Sequence, residues 1–356
     1  MDLGARQFDF QEPDRTVVVA EVGVNHNGDP ETAIRMIDVA AECGADVVKF
    51  QAFKSEKEIS RFAAKAPYQE ETTSSQGNQL EMCKALELSP AALRSAYAHC
   101  RARGIAFLCA AFDFDSADFL LGDLGVSAVK IGSSEVTNIP LLRHIAAARC
   151  GIVLSTGAST LSEVGRAVET ILTAGCPELV LLHCVSSYPA PYGQVNLRAM
   201  QTMRTAFGLP VGFSDHTAGV EVAIAAAALG AAMIEKHFTL DRNQPGPDHR
   251  ASIEPPELAQ LVRGVRIGNA CLGSPSKQPA PCELENRPLI RKSLVASRRL
   301  ARGTRLERDM IEIKRPEGGI APVDVDKVLG LTLQRDLEED ELISWSDLAG
   351  VPAGRG

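Results

Sequence analysis

The dominant pattern along the chain is a short apolar run rich in β-branched residues, followed by a longer segment with helical apolar periodicity. The pattern repeats until about residue 270. The apolar runs predict strands at Val17–Glu21, Val47–Gln51, Ile105–Cys109, Ala128–Ile131, Ile152–Ser155, Leu179–Cys184, Val211–Phe213 and Ala232–Lys236. Helices are predicted between them, for example at Pro30–Cys43, Pro90–Arg103, Leu161–Thr173 and Val220–Leu229. Alternating strands and helices indicate a parallel sheet, and eight strands are the number that closes a TIM (β/α)8 barrel.

Two further local signals refine this barrel. Asp29 before Pro30 and Ser89 before Pro90 match an N-cap followed by proline at the first helical position. The connection from Ala52 to Arg103 is longer than the others and contains a polar stretch, Glu70–Asn78. Long connections in compact barrels are typically lids or substrate loops, so we expect that role for this stretch.

The pattern changes after Ile267, where residues 272–281 are proline-rich and aperiodic. Such a composition is typical of a linker. Short strand-like pieces follow it, at Ser293–Ala296, Thr304–Leu306, Ile311–Lys314 and Leu342–Ser344. We therefore predict a barrel over residues 1–270, a linker over 271–288 and a small, mostly β domain over 289–356.

Composition narrows the function classes. The net charge of -8, from 37 basic and 45 acidic residues without a basic cluster, argues against a nucleic-acid partner. The nine cysteines are odd in number and contain no C-x-x-C pair, which is typical of a reducing compartment. No signal-like segment and no apolar run of roughly 18 residues is present, so we expect a cytoplasmic protein without a membrane span.

Polar residues crowd at the carboxyl ends of the predicted strands, where barrel enzymes place their active sites. Three of them are lysines, Lys49, Lys130 and Lys236. One such lysine alone is usually a solvated surface group. Three pointing into one barrel mouth would repel one another, and a bound phosphate or carboxylate would relieve that repulsion. The sequence thus predicts an anion-binding pocket.

Two histidines, His216 and His237, follow the last two predicted strands. A lone histidine is more often a satisfied core residue, but two at equivalent ends of adjacent strands suit a divalent metal. Asp215 and Glu235 are close enough in sequence to orient or supplement them. With two protein ligands the site would be open, as in Lewis-acid catalysis. The turn-rich loop that contains Asp248 is predicted to overhang the same mouth or to be plain surface.

Several motifs together resemble the sialic acid synthase family. They are Ala20–Gly28, Val48–Gln51, Lys130–Glu135, Leu154–Gly157, Phe213–Thr217, Glu235–Phe238 and Gly246–His249, in this order across the barrel. The tail, with Arg291–Leu294 and Lys314–Pro316, is similar to the antifreeze-like (SAF) domain that ends those enzymes. The resemblance covers nearly the whole chain.

The resemblance implies a transferase that condenses phosphoenolpyruvate with an N-acetylmannosamine-type sugar and releases phosphate, that is, an N-acetylneuraminate synthase. An N,N'-diacetyllegionaminate synthase using 2,4-diacetamido-2,4,6-trideoxymannose is the alternative, because few contacts read the difference between these sugars. A pseudaminate synthase is a more distant alternative. From the residues alone, two other classes stay open: another barrel enzyme that uses phosphoenolpyruvate, and a non-catalytic sugar-binding protein.

The resemblance also implies roles for individual residues. Metal binding, most simply of Mn2+ with Mg2+ or Co2+ as substitutes, is expected at His216 and His237, and these two count as catalytic together with Glu21. The implied phosphoenolpyruvate-binding residues are Lys49, Lys130, Ser133 and Ser214. The implied sugar-binding residues are Gln51, Glu135, Tyr188, Asp248 and Arg315. Arg315 is expected to reach a neighbouring subunit's site, which requires a domain-swapped homodimer.

The chain departs from the family pattern at three places. Ala110 stands where a phosphate-contacting hydroxyl is expected, and Ser186 stands where an asparagine is frequent. The stretch Thr72–Asn78 does not align cleanly. We expect weaker phosphate contacts or a compensating group elsewhere in the pocket.

Overall fold

The structure of the protein is a computed structural model that describes residues 1–10, 15–65, 70, 73 and 78–350. The chain forms two compact units, Met1–Gly273 and Ser274–Gly356. Most of the predicted lid, Glu70–Asn78, lies outside the described residues. Asn78 is described, and its side chain accepts a hydrogen bond from the Glu81 backbone at 2.9 Å as the cap of a helix.

The first unit is a closed barrel of eight parallel strands in sequence order, so the predicted fold is confirmed. The strands are β1 (Val17–Gly23), β2 (Val47–Ala52), β3 (Ala106–Ala111), β4 (Ala128–Ile131), β5 (Gly151–Ser155), β6 (Leu179–Cys184), β7 (Val211–Asp215) and β8 (Met233–His237). Each differs from its predicted range by at most two residues at either end.

Helices surround the barrel. They are α1 (Pro30–Glu42), α2 (Ser55–Glu58), α3 (Gln79–Lys84), α4 (Pro90–Arg103), α5 (Phe114–Asp118), α6 (Ile139–Ala147), α7 (Leu161–Thr173), α8 (Arg198–Phe207), α9 (Glu221–Ala228) and α10 (Pro255–Leu272). The predicted caps are present: Asp29 accepts from the backbone of Glu31 and Thr32, and Ser89 from that of Ala92. No helix in the described part of the chain is long and apolar enough to cross a membrane.

The alternation of side chains along each strand places the site. Every second residue faces the barrel interior. At the amino ends these inward residues form one apolar cluster that contains Val17, Val19, Val47, Ala106, Leu108, Ala128, Val153, Val180, Leu182 and Met233. Continued to the carboxyl ends, the same alternation brings in polar groups, for example Glu21 after Val19 and Lys49 after Val47. The barrel interior is therefore apolar at the amino ends of the strands and charged at their carboxyl ends.

The second unit has its own apolar core, which includes Leu294, Ile311, Val328 and Ile343. Besides the helices α11 (Arg287–Ile290) and α12 (Val325–Val328), it contains β9 (Ser293–Ala296) paired with β10 (Ile311–Lys314), and β11 (Thr332–Leu333) paired with β12 (Leu348–Ala349). The predicted strands Thr304–Leu306 and Leu342–Ser344 were wrong. In these segments Arg305 and Leu342 form only isolated bridges.

Candidate active site

A cavity of about 250 Å³ opens at the carboxyl ends of the barrel strands. It is lined by nine of the residues predicted for the site: Glu21, Lys49, Gln51, Lys130, Ser133, Tyr188, Ser214, His216 and His237. They come from the ends of β1, β2, β4 and β6 to β8 or directly follow these strands. The fold thus gathers groups that are more than 200 residues apart in the chain into one pocket.

The deepest part of the cavity is a buried array of two lysines and two carboxylates. Lys49 Nζ lies 2.9 Å from Glu21 Oε2 and 3.6 Å from Glu235 Oε1, and Lys130 Nζ lies 3.9 Å from the same Glu235 oxygen. Ser214 donates a hydrogen bond to Glu235 at 3.0 Å. The carboxylates offset the repulsion expected between the lysines alone. Against the effect of burial, Glu21 and Glu235 raise the pKa of Lys49, whereas burial lowers the pKa of Lys130 against the opposing charge of Glu235.

The pKa values of the two carboxylates in this array are shifted in opposite directions. Burial raises the pKa of Glu21 to about 7 against the opposing charge of Lys49, and Glu235 adds to the rise. Burial also disfavours ionised Glu235, but Lys130 and Lys49 overcome it and lower the pKa of that carboxyl. Glu235 is therefore a fixed negative charge, whereas Glu21 can take up and release a proton near neutrality. A group with that property suits general acid–base chemistry.

The prediction that Lys236 belongs to the anion pocket was wrong. Side chains alternate along β8, so Glu235 and His237 face the cavity and Lys236 faces the surrounding helices. There it is 1% exposed and forms a 2.8 Å ion pair with Asp215, which faces outward from β7. Asp215 therefore does not orient the histidines either. Among the described residues, the pocket is lined by two lysines, Lys49 and Lys130, instead of the expected three.

His216 and His237 are in contact, with ring centroids 5.5 Å apart. The Nδ1 atom of His216 donates to the Val185 carbonyl at 2.8 Å, so Nε2 is the nitrogen that the neutral ring offers to a ligand. Against the effect of burial, the neighbouring Cys184 raises the pKa of this ring. Burial lowers the pKa of His237 well below its usual range, with the charges of His216 and Lys49 adding to the effect. His237 is thus neutral at physiological pH, the form that binds metals.

The donor set fits a metal with two protein ligands. Nδ1 of His237 is buried without a hydrogen-bond partner among the described residues, and Asp248 Oδ2 lies 3.8 Å from it. Within the described ranges no cluster of three or more histidine, cysteine or acidic side chains could hold a metal. An ion bound by His216 and His237 would therefore keep most of its coordination positions for substrate oxygens and water.

Hydroxyl groups line the wall beside Lys130. Lys130 Nζ donates to Ser155 Oγ at 2.6 Å, and the Gly157 N–H donates to Ser133 Oγ at 2.9 Å. A Cβ at Gly157 would lie 2.2 Å from Ser186 Oγ, so only glycine lets these hydroxyls approach the backbone. Ala110 faces the interior beside Lys130, with which it pairs between β3 and β4. The expected hydroxyl is absent there, and three serines are present nearby.

Of the predicted sugar-binding residues, some line the cavity and others lie outside its lining. Gln51 and Tyr188 line the cavity, and Gln51 donates to Glu21 Oε1 at 2.8 Å. Glu135 is buried after β4 and accepts from Asn138 at 2.6 Å. Asp248 lies beside His237, and burial raises its pKa to about 6. Arg315 lies in the second unit, immediately after β10, and is exposed.

Comparisons with known proteins decide the family. Residues 36–277 match the NeuB family, and residues 291–349 match the SAF domain. The chain belongs to the NeuB family of sialic acid synthases. As a NeuB protein it is an enzyme, a transferase of the sialic acid synthase type, and the predicted family and enzyme class are confirmed.

Three NeuB relatives illustrate the similarity. The N,N'-diacetyllegionaminic acid synthase of Campylobacter jejuni is 44% identical over 92% of this chain and 99% of its own length. The N-acetylneuraminate-9-phosphate synthase of Homo sapiens is 36% identical over 92% of this chain and 90% of its own. The crystal structure of N-acetylneuraminic acid synthetase from Leptospira borgpetersenii, in complex with citrate, has a TM-score of 0.68 at 35% identity, covering 77% of this chain and 90% of that one.

Sequence reasoning missed part of the pocket. The sequence pattern suggests Glu235 only as a partner of the histidines, whereas the structure places it between two lysines. The sequence pattern indicates no anion-binding role for Ser155 and only a strand position for Cys184, yet both line the cavity, and Cys184 Sγ lies 3.7 Å from His216 Nδ1. Strict alternation along each strand would have identified all three as inward-facing. Their neighbours come from distant strands and were not deducible from spacing.

Proposed function

We propose that this enzyme condenses phosphoenolpyruvate with 2,4-diacetamido-2,4,6-trideoxymannose to give N,N'-diacetyllegionaminate and phosphate. The observation that carries the choice of sugar is the 44% identity, over 99% of its length, to an N,N'-diacetyllegionaminic acid synthase. This favours the alternative of the sequence-based prediction over its first choice, N-acetylmannosamine.

The deep array supports phosphoenolpyruvate as the anionic substrate. Lys49 on β2 and Lys130 on β4 are buried, and their Nζ atoms lie 3.6 and 3.9 Å from Glu235 Oε1. A bound dianion would take over the interaction with both ammonium groups, and Ser133 and Ser214 line the same cavity with hydroxyl groups. Fixed charges in a dry pocket also stabilise the negative charge that develops on a departing phosphate. The residues predicted to bind phosphoenolpyruvate thus have the required chemistry.

In the proposed reaction, the terminal CH2 carbon of phosphoenolpyruvate bonds to the sugar aldehyde carbon, the aldehyde double bond opens, and its oxygen takes up a proton to become a hydroxyl. Water then adds to the former enol carbon, and the bond from that carbon to the phosphate oxygen breaks. Glu21 is the group that accepts the proton of this water, because its pKa of about 7 lets it exchange protons near neutrality. Gln51 and Lys49 hold its two oxygens at 2.8 and 2.9 Å. The carboxylate is therefore oriented before the substrates bind.

His216 and His237 are proposed to hold a divalent ion, with Mn2+ as the first candidate. When bound, the ion supplies polarisation of the sugar's aldehyde oxygen. The histidines are suited to this task because one is neutral and the other has a fixed tautomer. Asp248, which follows β8, and Glu135, which follows β4, are proposed to accept hydrogen bonds from the hydroxyl and amide groups of the sugar.

Purified enzyme incubated with phosphoenolpyruvate, Mn2+ and a series of sugars tests the assignment. The sugars are 2,4-diacetamido-2,4,6-trideoxymannose, N-acetylmannosamine and its 6-phosphate, and phosphate release and product mass are followed. We expect the highest kcat/KM with the diacetamido sugar. A higher value with N-acetylmannosamine would support the N-acetylneuraminate alternative, and no release with any sugar would contradict both.

The proposed metal-binding role of His237 can be tested with His144→Ala as a matched control. His237→Ala should abolish phosphate release and chelator sensitivity together, while the fold, followed by circular dichroism, is retained. His144→Ala changes a histidine that is bonded to Asp118 on α5 and lies outside the cavity. That variant should keep wild-type turnover and full restoration by Mn2+ after chelation.

We also propose that Arg315 completes the site of a second subunit in a homodimer. Arg315 is exposed, and no hydrogen bond or ion pair joins it to any other residue in the described ranges. A mixture of His237→Ala and Arg315→Ala subunits, refolded together, tests this. If the tail is exchanged, each hybrid dimer regains one of its two sites, and an equal mixture, of which about half is hybrid, regains about a quarter of wild-type activity. If Arg315 acts within its own subunit, no hybrid has a complete site and activity stays absent.

A further inference from the structure

The segment Val185–Ala190, which follows β6, surrounds His216; we call it the His216 bracket. The Val185 carbonyl accepts from Nδ1 of His216 at 2.8 Å. The backbone N–H of Ala190 donates to the His216 carbonyl at 2.8 Å. One bond fixes the imidazole tautomer and the other fixes the backbone that carries it. The bracket thus holds both the ring and the backbone of His216, which lies just beyond the end of β7.

Tyr188, in the middle of this bracket, is in contact with both histidines. Its ring lies 4.2 Å from the His216 ring, centroid to centroid, at an interplanar angle of 35°. It meets the His237 ring edge-on, at 5.7 Å and 87°. The two imidazoles are themselves 5.5 Å apart at 53°. Three rings therefore pack mutually: the two contacts of His237 lie within the usual range for aromatic pairs, and the contact between Tyr188 and His216 is slightly closer.

The histidines need an external constraint on ring orientation. His216 is not part of a strand, and the Val185 bond acts on only one of its ring nitrogens. His237 is the last residue of β8, and its Nδ1 atom has no hydrogen-bond partner among the described residues. Metal-binding imidazoles are ordinarily oriented by a hydrogen bond to the second nitrogen. No such hydrogen bond to the His237 imidazole is present among the described residues, and the Tyr188 ring packs against that imidazole instead.

We propose that Tyr188 is a positioning residue for the histidine pair: its ring sets the orientation of both imidazoles so that their free nitrogens face one point. This rests on the proposed metal-dependent function. It assigns the ring of Tyr188 a task separate from the sugar contact expected of the residue. The aromatic ring and the phenolic hydroxyl can therefore be tested independently.

The test measures binding of Mn2+ alone, in the absence of substrates, by the electron paramagnetic resonance signal of free Mn2+. Tyr188→Phe keeps the ring and should retain the wild-type Kd. Tyr188→Leu and Tyr188→Met lack the ring and should each raise the Kd about 10- to 100-fold, the range for removal of an orienting group. Two ring-less variants guard against misfolding of either one, and circular dichroism identifies which remains folded.

Tyr192 provides the control. It lies four residues after Tyr188, is 62% exposed and donates through its hydroxyl to the Ala218 carbonyl. Tyr192→Leu should leave the Kd for Mn2+ unchanged. As a spectroscopic readout, the nitrogen chemical shifts of His237 should show a defined ring environment in wild type and Tyr188→Phe and averaging in the ring-less variants.

The outcomes separate this inference from the proposed function. If the wild-type enzyme binds no Mn2+, the metal-dependent function and the positioning role are both overturned. If wild type binds Mn2+ and folded Tyr188→Leu or Tyr188→Met binds it equally well, the positioning role alone is overturned. A weaker affinity in Tyr188→Phe equal to that of the ring-less variants would assign the effect to the hydroxyl and would also overturn it.

Discussion

Lys236→Met should reduce stability and leave substrate binding intact, although the sequence places Lys236 between two pocket residues. The lysine is 1% exposed and its partner Asp215 is equally buried, so the substitution leaves an uncompensated carboxylate in the protein interior. Breaking a buried pair in this way costs about 3–5 kcal/mol. For a barrel of this size the cost corresponds to a fall in Tm of roughly 6–20 °C.

The assay combines thermal unfolding with steady-state kinetics at a temperature where the variant is folded. Lys130→Met is the matched comparison, because Lys130 is equally buried and faces the cavity. Loss of a charge-assisted hydrogen bond to the substrate, about 1.5–3 kcal/mol, should raise the KM for phosphoenolpyruvate roughly 10- to 150-fold in that variant. Lys236→Met should leave this KM within about twofold of wild type, since no contact to substrate is lost.

A second substitution tests the cause of the instability. Asp215→Asn in the Lys236→Met background removes the orphaned charge and should recover part of the lost Tm, because the penalty arises from the unpaired carboxylate. The reasoning is refuted if Lys236→Met keeps the wild-type Tm and raises the KM for phosphoenolpyruvate as much as Lys130→Met does.

Two further outcomes are expected. Since the pKa of Glu21 is raised to about 7 in the folded protein, kcat/KM should fall about tenfold per pH unit below that value, with the apparent pKa belonging to the coupled Glu21–Glu235 pair. The contribution of Glu21 to folding stability changes with pH in the other direction: it is present below the ordinary glutamate pKa and is lost as the pH rises through about 7. Urea unfolding as a function of pH, with Glu21→Gln as the comparison, measures this loss. A flat profile of kcat/KM between pH 5 and 8 would contradict the assignment. Gly157→Ala should raise the KM for phosphoenolpyruvate, since the added Cβ would lie 2.2 Å from Ser186 Oγ and 2.9 Å from Ser133 Oγ, and an unchanged KM would exclude these hydroxyls from the anion site.

Much of the barrel was predictable because each strand buries both faces and so appears as a continuous apolar run. The ends of the strands were also recognisable, since polar residues interrupt those runs abruptly. It was harder to predict whether the side chain of a single residue points into or out of the barrel. Lys236 and His237 are adjacent, and only the strand register shows that one lies outside the barrel and the other inside.

The second unit was less predictable for a different reason. Its strands contain only two to four residues, and several pairings are single bridges, such as that between Val295 and Leu342. Such short pieces have too few residues to establish an alternating pattern. The ion pair between Asp215 and Lys236 was likewise invisible in the sequence, because neither residue belongs to a local pattern that requires the other.

The sequence Glu235-Lys236-His237 has a consequence for how this family can change over evolution. β8 is paired on both sides, with β1 and β7, so its register is locked by two neighbours. Deletion of a single residue within it would turn the glutamate and the histidine towards the helices and the lysine into the pocket. Point substitutions can adjust this site gradually, whereas a one-residue insertion or deletion would replace the negative charge of Glu235 and the imidazole of His237 in the pocket by the positive charge of Lys236 in one step. We therefore expect natural length variation to be confined to the loops on either side of β8.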